Sequence, residues 1–298
     1  MEYREERKQS ILNYFIDNGI AFETDGKHAH VINKKYTDIN IVDSVKKIGY
    51  KTIFNESGTI IAIGNSFHIL RLDSRANNIT SSSMLSACFF AILLDHQLDF
   101  RSIIQNLFNK QFNEILSIDG NIDVELEWID KDGDQSHIDA LISFNANGVK
   151  YRLFTEVKYC ENAYGPRKRY DNDKMLMEEK LKLQAEYIED TKRWYEYHNN
   201  RMNIDGYLRD CSSFESCLAS NYVKRYQIIR NVSHSNLNTH DYCLFLLAKG
   251  NIDAVVDIEE GLAELSIQNG ELIKNRVAVL FFEDVVSKES DLYQKYFK

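Results

Sequence analysis

Two β-rich apolar runs between residues 137 and 161 constrain this chain most: H-I-D-A-L-I-S-F-N-A-N-G-V-K-Y-R-L-F-T-E-V-K-Y-C-E. They meet at Asn145-Ala146-Asn147-Gly148, and an Asn-Gly step between strand-like runs predicts a hairpin. The first run carries one acid, Asp139, and the second carries Glu156 and Lys158. Side chains two apart on a strand share a face, so Glu156 and Lys158 emerge side by side with Val157 turned the other way. Pairing the runs brings Asp139 towards them from the neighbouring strand. Two carboxylates and an ammonium at the end of a hairpin form a candidate hydrolytic site for a hard metal ion.

The flanking sequence predicts the frame around this hairpin. Residues 1–20 read as an amphipathic helix with Ile11, Leu12, Tyr14, Phe15 and Ile20 inward. Short strands are expected at 28–33, 50–54 and 59–72, with a helix at 39–47. The polar stretch 77–83 offers N-caps for an apolar helix, M-L-S-A-C-F-F-A-I-L-L-D, whose composition predicts burial on nearly every side. A second helix is expected at 100–116 and an alternating strand at 123–129. Long helical material follows at 173–199 and another helix at 219–232. Two nearly continuous apolar runs, 242–248 and 276–282, read as strands covered on both faces, with an acidic helix at 258–263 between them. A boundary near residue 80 divides an N-terminal α+β lobe, 1–80, from the domain 81–298 that holds the hairpin.

Composition narrows the function classes. The chain has 298 residues and a net charge of −9. That is not the footprint of a protein that holds nucleic acid by bulk charge, although a bound divalent cation and local basic patches can supply the attraction. No apolar run reaches bilayer-spanning length, so no membrane partner is expected. The five cysteines lack metal-ligand spacing, and Cys211 and Cys217 stand too far apart for a zinc knuckle. A reduced, cytoplasmic protein is the expectation.

Oxygen ligands from Asp139 and Glu156 suit Mg²⁺ or Mn²⁺, and the carbonyl of Val157 adds a third. Lys158 shares their face and has three roles open to it. It could orient the attacking water, deprotonate it, or offset charge in the transition state. Burial would lower its pKa and the neighbouring carboxylates would raise it.

Asp139 followed by Glu156-Val157-Lys158 resembles the signature of the PD-(D/E)XK nuclease superfamily, the restriction-endonuclease-like fold. His137-Ile138-Asp139 stands where that signature often has Pro-Asp, so the proline is missing. The order helix, three-stranded meander, helix, strand is similar to the superfamily core. S-S-S-M-L-S-A-C-F-F-A-I-L-L, T-E-V-K-Y-C-E-N-A-Y-G and Y-Q-I-I-R-N resemble a bacterial branch of restriction-endonuclease-like nucleases. The resemblance covers roughly residues 80–250. It implies an α/β nuclease domain and a Mg²⁺-dependent DNA endonuclease, in restriction or genome defence. Asp139 and Glu156 would bind metal and Lys158 would serve the water and the transition state.

The resemblance also implies further residues. An extra metal-binding acid on the first core helix points to Glu114, with Glu127 on the first strand as a rival. Gln227 would reach the active site from a later helix, and Arg230, one turn on, could hold a phosphate. Glu161 could join the site if the strand ends or bends near Cys160. The densest basic cluster, Arg167-Lys168-Arg169, could contact DNA phosphates, as could Lys192-Arg193 with its aromatic neighbours. Making a double-strand break calls for two active sites, which makes a homodimer the working hypothesis. The competing class is a non-cleaving nucleic-acid-binding or interaction protein on the same fold, which the acidic net charge favours.

Overall fold

The computed structural model describes residues 3–24, 26, 50–55, 58–63, 70–72, 80–130, 137–161 and 177–298. The expected strand at 28–33 and helix at 39–47 lie outside these residues. The chain forms a mixed α/β structure with a five-stranded sheet. Strands β1 (Tyr50–Asn55), β2 (Gly58–Ile63) and β3 (Leu70–Leu72) form a small antiparallel sheet of their own.

The main sheet begins as a meander. β4 (Ile118–Ile129), β5 (His137–Ala146) and β6 (Val149–Lys158) pair antiparallel, and β7 (Asp241–Leu247) and β8 (Val277–Phe281) add parallel to β6. The β5–β6 turn is the expected one. Asn147 and Gly148 both have positive φ, 52° and 77°, as a two-residue hairpin of the right twist requires. β4 forms one edge of the sheet. Its Val124 and Leu126 enter the core, while Asp119 and Asp123 stand exposed. It starts earlier than the expected residue 123, because a register shift between Asp119 and Asp123 lets the chain pair on both sides of an irregular Gly120. The side chain of Gln97 holds that irregularity by donating to the Ile122 carbonyl at 3.1 Å and accepting from its N–H at 3.0 Å.

Helices cover both faces of the sheet. On one face lie α1 (Tyr3–Asp17), α2 (Ser82–Asp95) and α3 (Gln97–Leu107). α2 is capped by Ser81, and its buried residues include Met84, Leu85, Cys88, Phe89, Phe90 and Leu93, as its unbroken apolar composition predicted. α3 ends sooner than expected. It runs into a π-helical turn, Phe108–Phe112, that Asn113 closes in the left-handed conformation.

The other face carries α4 (Met177–Met202), three short helices α5 (Phe214–Ala219), α6 (Asn221–Lys224) and α7 (Tyr226–His234), and α8 (Ile252–Arg276). The single helix expected at 219–232 starts only after Ser220, which caps it, and is broken at Arg225, whose backbone leaves the helical region. The chain closes with α9 (Phe282–Val285) and α10 (Asp291–Tyr296). β7 sits between the two layers. Tyr242, Leu244 and Leu246 enter one core, while Cys243, Phe245 and Leu247 enter the other, which is why its sequence is continuously apolar.

The expected boundary near residue 80 does not hold for α1. Its Ile11 and Phe15 are fully buried in the same core as Phe282, Leu292 and Tyr296, and Arg7 and Ser10 both donate to the Lys298 carbonyl. Cys211 and Cys217 form a disulfide, with Cα atoms 4.3 Å apart, whereas five reduced thiols were expected. Among the described residues no helix is long and apolar enough to cross a membrane.

Candidate active site

β6 is the strand on which the sheet changes from antiparallel to parallel pairing, and its C-terminal end carries the candidate group. By alternation Phe154, Glu156 and Lys158 face the α7 layer, while Leu153 and Val157 enter the opposite core. Glu156 and Lys158 are 2 % and 7 % exposed. Their side chains meet directly, with Lys158 Nζ donating to Glu156 Oε1 at 2.8 Å. Asp139, half-buried on β5, accepts from the Val157 N–H at 2.7 Å through Oδ2. The three residues singled out in the sequence therefore lie together at one end of the hairpin.

The second oxygen of Glu156 is held by α7. Arg230 and Asn231 both donate to Oε2, each at 2.9 Å, and both are buried. The remaining proton of the Asn231 amide goes to the Gln227 carbonyl one turn earlier, at 2.8 Å. Arg230 was expected to hold a phosphate. Instead its guanidinium is engaged with Glu156. Gln227 lies on the same helix face, but it is its main chain that joins the network. The Asn231 Oδ1 and Gln227 Oε1 atoms are buried without a hydrogen-bond partner among the described residues.

These contacts shift the titration of both members of the central pair. Burial pushes the Glu156 carboxyl up, but Lys158 and Arg230 outweigh it and hold its pKa below the ordinary value. Burial pulls the Lys158 ammonium down, but Glu156, Asp139 and Glu161 outweigh that, and its pKa stands above the ordinary lysine value. The surrounding carboxylates thus favour the charged form of Lys158 in this arrangement, which suits charge compensation and water orientation.

Glu161 lies just beyond the strand and acts on Lys158 through its charge. β6 ends at Lys158, and the carboxylate of Glu161 turns back to accept from the N–H groups of Tyr159 and Cys160 and from Ser82 Oγ at 2.6 Å. Asn251, the N-cap of α8, fixes this bend by donating to the carbonyls of Tyr159 and Glu161.

Glu114 does not belong to the group. It follows the π-helical turn and accepts from the hydroxyls of Tyr151 and Tyr242, at 2.5 and 2.9 Å. Tyr151 stands five positions before Glu156 on β6, roughly 16 Å along an extended strand. Its assignment as a metal ligand is corrected on that ground. The side chain of Glu127, its rival, lies outside the described set, as do Arg167, Lys168 and Arg169. Lys192 and Arg193 are exposed on α4 but pair with Glu189 and Asp190 of the same helix.

Sequence reasoning missed Asn231. The signal was available, because it stands four residues after Gln227 and beside Arg230. It also missed a second cluster behind α7. Asp130, at the end of β4, accepts from Tyr197 and His234, and His234 also reaches the Arg230 carbonyl at 2.6 Å. The His234 hydrogen bond holds the Asp130 carboxyl well below the usual carboxylate range, against the effect of burial.

The donor set was compared with what Mg²⁺ requires. Among the described residues no three His, Cys, Asp or Glu side chains converge as a ready-made metal cage. Mg²⁺ is commonly bound through only one or two carboxylates, with water and substrate phosphate completing its shell. Asp139 and Glu156 are hard oxygen donors on adjacent strands, a chemistry that suits that ion. A cavity of about 590 Å³ between α2, α3 and the C-terminal helices shares no residue with this group. No protein-family model, curated protein or solved structure matches this chain.

Proposed function

We propose that this chain is a Mg²⁺-dependent DNA endonuclease, with Mn²⁺ as an alternative ion, built on a restriction-endonuclease-like core. The observation that carries the reading is the convergence of Asp139, Glu156 and Lys158 from adjacent strands at the end of a buried meander. The order α2–α3, β4–β5–β6, α4–α7, β7 supports it. Asp139 and Glu156 would hold the ion, with the Val157 carbonyl available beside them. When bound, the ion supplies polarisation of the phosphodiester and a water of lowered pKa. Lys158, kept cationic, offsets the charge that builds on the phosphoryl oxygens. Removing one such preorganised donor typically lowers a rate by about 10²–10³.

A second reading has its own observation. Both oxygens of Glu156 are already engaged by Lys158, Arg230 and Asn231. That favours a non-cleaving nucleic-acid-binding or interaction protein on the same framework.

Incubating the purified protein with plasmid in Mg²⁺, Mn²⁺ or EDTA separates the two. The nuclease reading expects metal-dependent cleavage that Asp139→Asn and Lys158→Ala abolish. Cleavage surviving either substitution would remove these residues from the chemistry. Binding without cleavage under every condition would establish the second reading.

A further inference from the structure

Glu156 has both carboxylate oxygens engaged, by Lys158 on one and by Arg230 and Asn231 on the other. Asp139 and Glu156 as anions balance Lys158 and Arg230 as cations, and the Glu161 carboxylate acting on Lys158 adds one negative charge. Uncompensated charge in a buried site is expensive. A divalent cation entering alone would leave one excess positive charge there. If it enters with a phosphodiester monoanion, none remains.

Arg230 is also the group best matched to what would arrive. A guanidinium is permanently charged and presents a planar fork of donors suited to phosphate oxygens. Its present acceptor, Glu156 Oε2, is a carboxylate oxygen assigned above to the metal. Glu156 would keep two holds if the guanidinium left, Lys158 on Oε1 and Asn231 on Oε2. The unpartnered amide oxygens of Asn231 and Gln227 lie on the same helix face, and Asn231 Oδ1 belongs to the very amide that touches Oε2.

We propose that a divalent cation and the Arg230 guanidinium exchange at Glu156 Oε2, and that the displaced guanidinium takes the phosphodiester. Arg230 then acts as an internal stand-in for the metal. It makes cation binding weak until a phosphate is present to receive it. This inference rests on the nuclease reading of the same site. It requires metal and phosphodiester to bind cooperatively and, by linkage, each to tighten the other by the same factor.

The test is a binding measurement that needs no turnover. Mn²⁺ affinity is read by electron paramagnetic resonance and calorimetry, with and without dimethyl phosphate, for the wild-type chain, Arg230→Gln and Asp139→Asn. We expect Arg230→Gln to bind Mn²⁺ alone at least tenfold more tightly than wild type. Dimethyl phosphate should tighten Mn²⁺ binding to wild type at least threefold and leave Arg230→Gln unchanged.

Mn²⁺ binding that Asp139→Asn removes but Arg230→Gln does not strengthen overturns the exchange and leaves the nuclease reading standing. No Mn²⁺ binding by any form, or binding indifferent to Asp139→Asn, overturns both. Should Arg230→Gln fail to fold, the wild-type coupling decides alone, and its absence overturns the proposal.

Discussion

Glu156→Gln tests the electrostatic logic of the site directly. The wild-type carboxylate lies between two buried cations, 2.8 Å from Lys158 and 2.9 Å from Arg230. Gln is nearly isosteric, so packing is kept while the carboxylate that touches both cations is removed. Breaking a buried ion pair by removing one partner costs about 3–5 kcal/mol. Unfolding entropies of roughly 2 cal/mol/K per residue give about 0.6 kcal/mol/K over 298 residues. The expected fall in Tm is therefore about 5–8 °C. Lys158→Met leaves the carboxylate with Arg230 and Asn231 and removes one charged hydrogen bond, at about 1.5–3 kcal/mol.

In the double variant the repulsion between the two cations is gone. Its loss should fall short of the summed singles by about 0.5–3 kcal/mol. Urea unfolding at pH 7 followed by tryptophan fluorescence reads this well, because Trp128 packs against Phe154 and His234 beside the site. Losses that add within about 0.5 kcal/mol, or a Lys158→Met variant weaker than Glu156→Gln, would refute the picture of a carboxylate clamped by two cations.

Other perturbations separate parts of the molecule. Glu114→Gln should leave metal-dependent cleavage at the wild-type rate. It should still destabilise the fold by about 1–3 kcal/mol, because two tyrosine hydroxyls lose a charged acceptor; lost cleavage with an intact fold would return Glu114 to the site. Phe15→Ala should cost about 3–5 kcal/mol, since α1 is part of the main core; a change near zero would detach that helix from it.

Acid stability follows from carboxyls held low in the folded chain. Asp130 and Glu156 are both depressed, so their stabilisation is present above the unfolded pKa values of about 4 and is lost as pH falls through the folded ones. Tm should decline below about pH 4, and Asp130→Asn should flatten the decline. An unchanged slope would take Asp130 out of that balance.

The hairpin and its three charges were legible because everything that fixes them is local. Alternation aligns Glu156 with Lys158, and Asn147-Gly148 sets the register that brings Asp139 across. β7 was legible from its unbroken apolar run. The partners of Glu156 were not. Arg230 and Asn231 are 74 and 75 residues away, and only the docking of α7 on the sheet joins them to it. Glu114 misled because the period of apolar residues continues past the point where Asn113 ends the helix. α8 was expected as six residues, whereas helical structure extends over Ile252–Arg276 with a kink at Asn269, whose backbone is not helical. At Gly261 the helix passes close to α7, and a Cβ there would make the tip of the Ile228 side chain shift.

The exposed acids of β4 bear on assembly. A second copy pairing antiparallel along that edge would set Asp119 and Asp123 against the same acids of its neighbour, and like charges facing each other across a ladder destabilise it. These acids thus disfavour growth of the sheet at the strand that starts the meander. Sheet-to-sheet assembly of two copies would then have to use the opposite edge, β8.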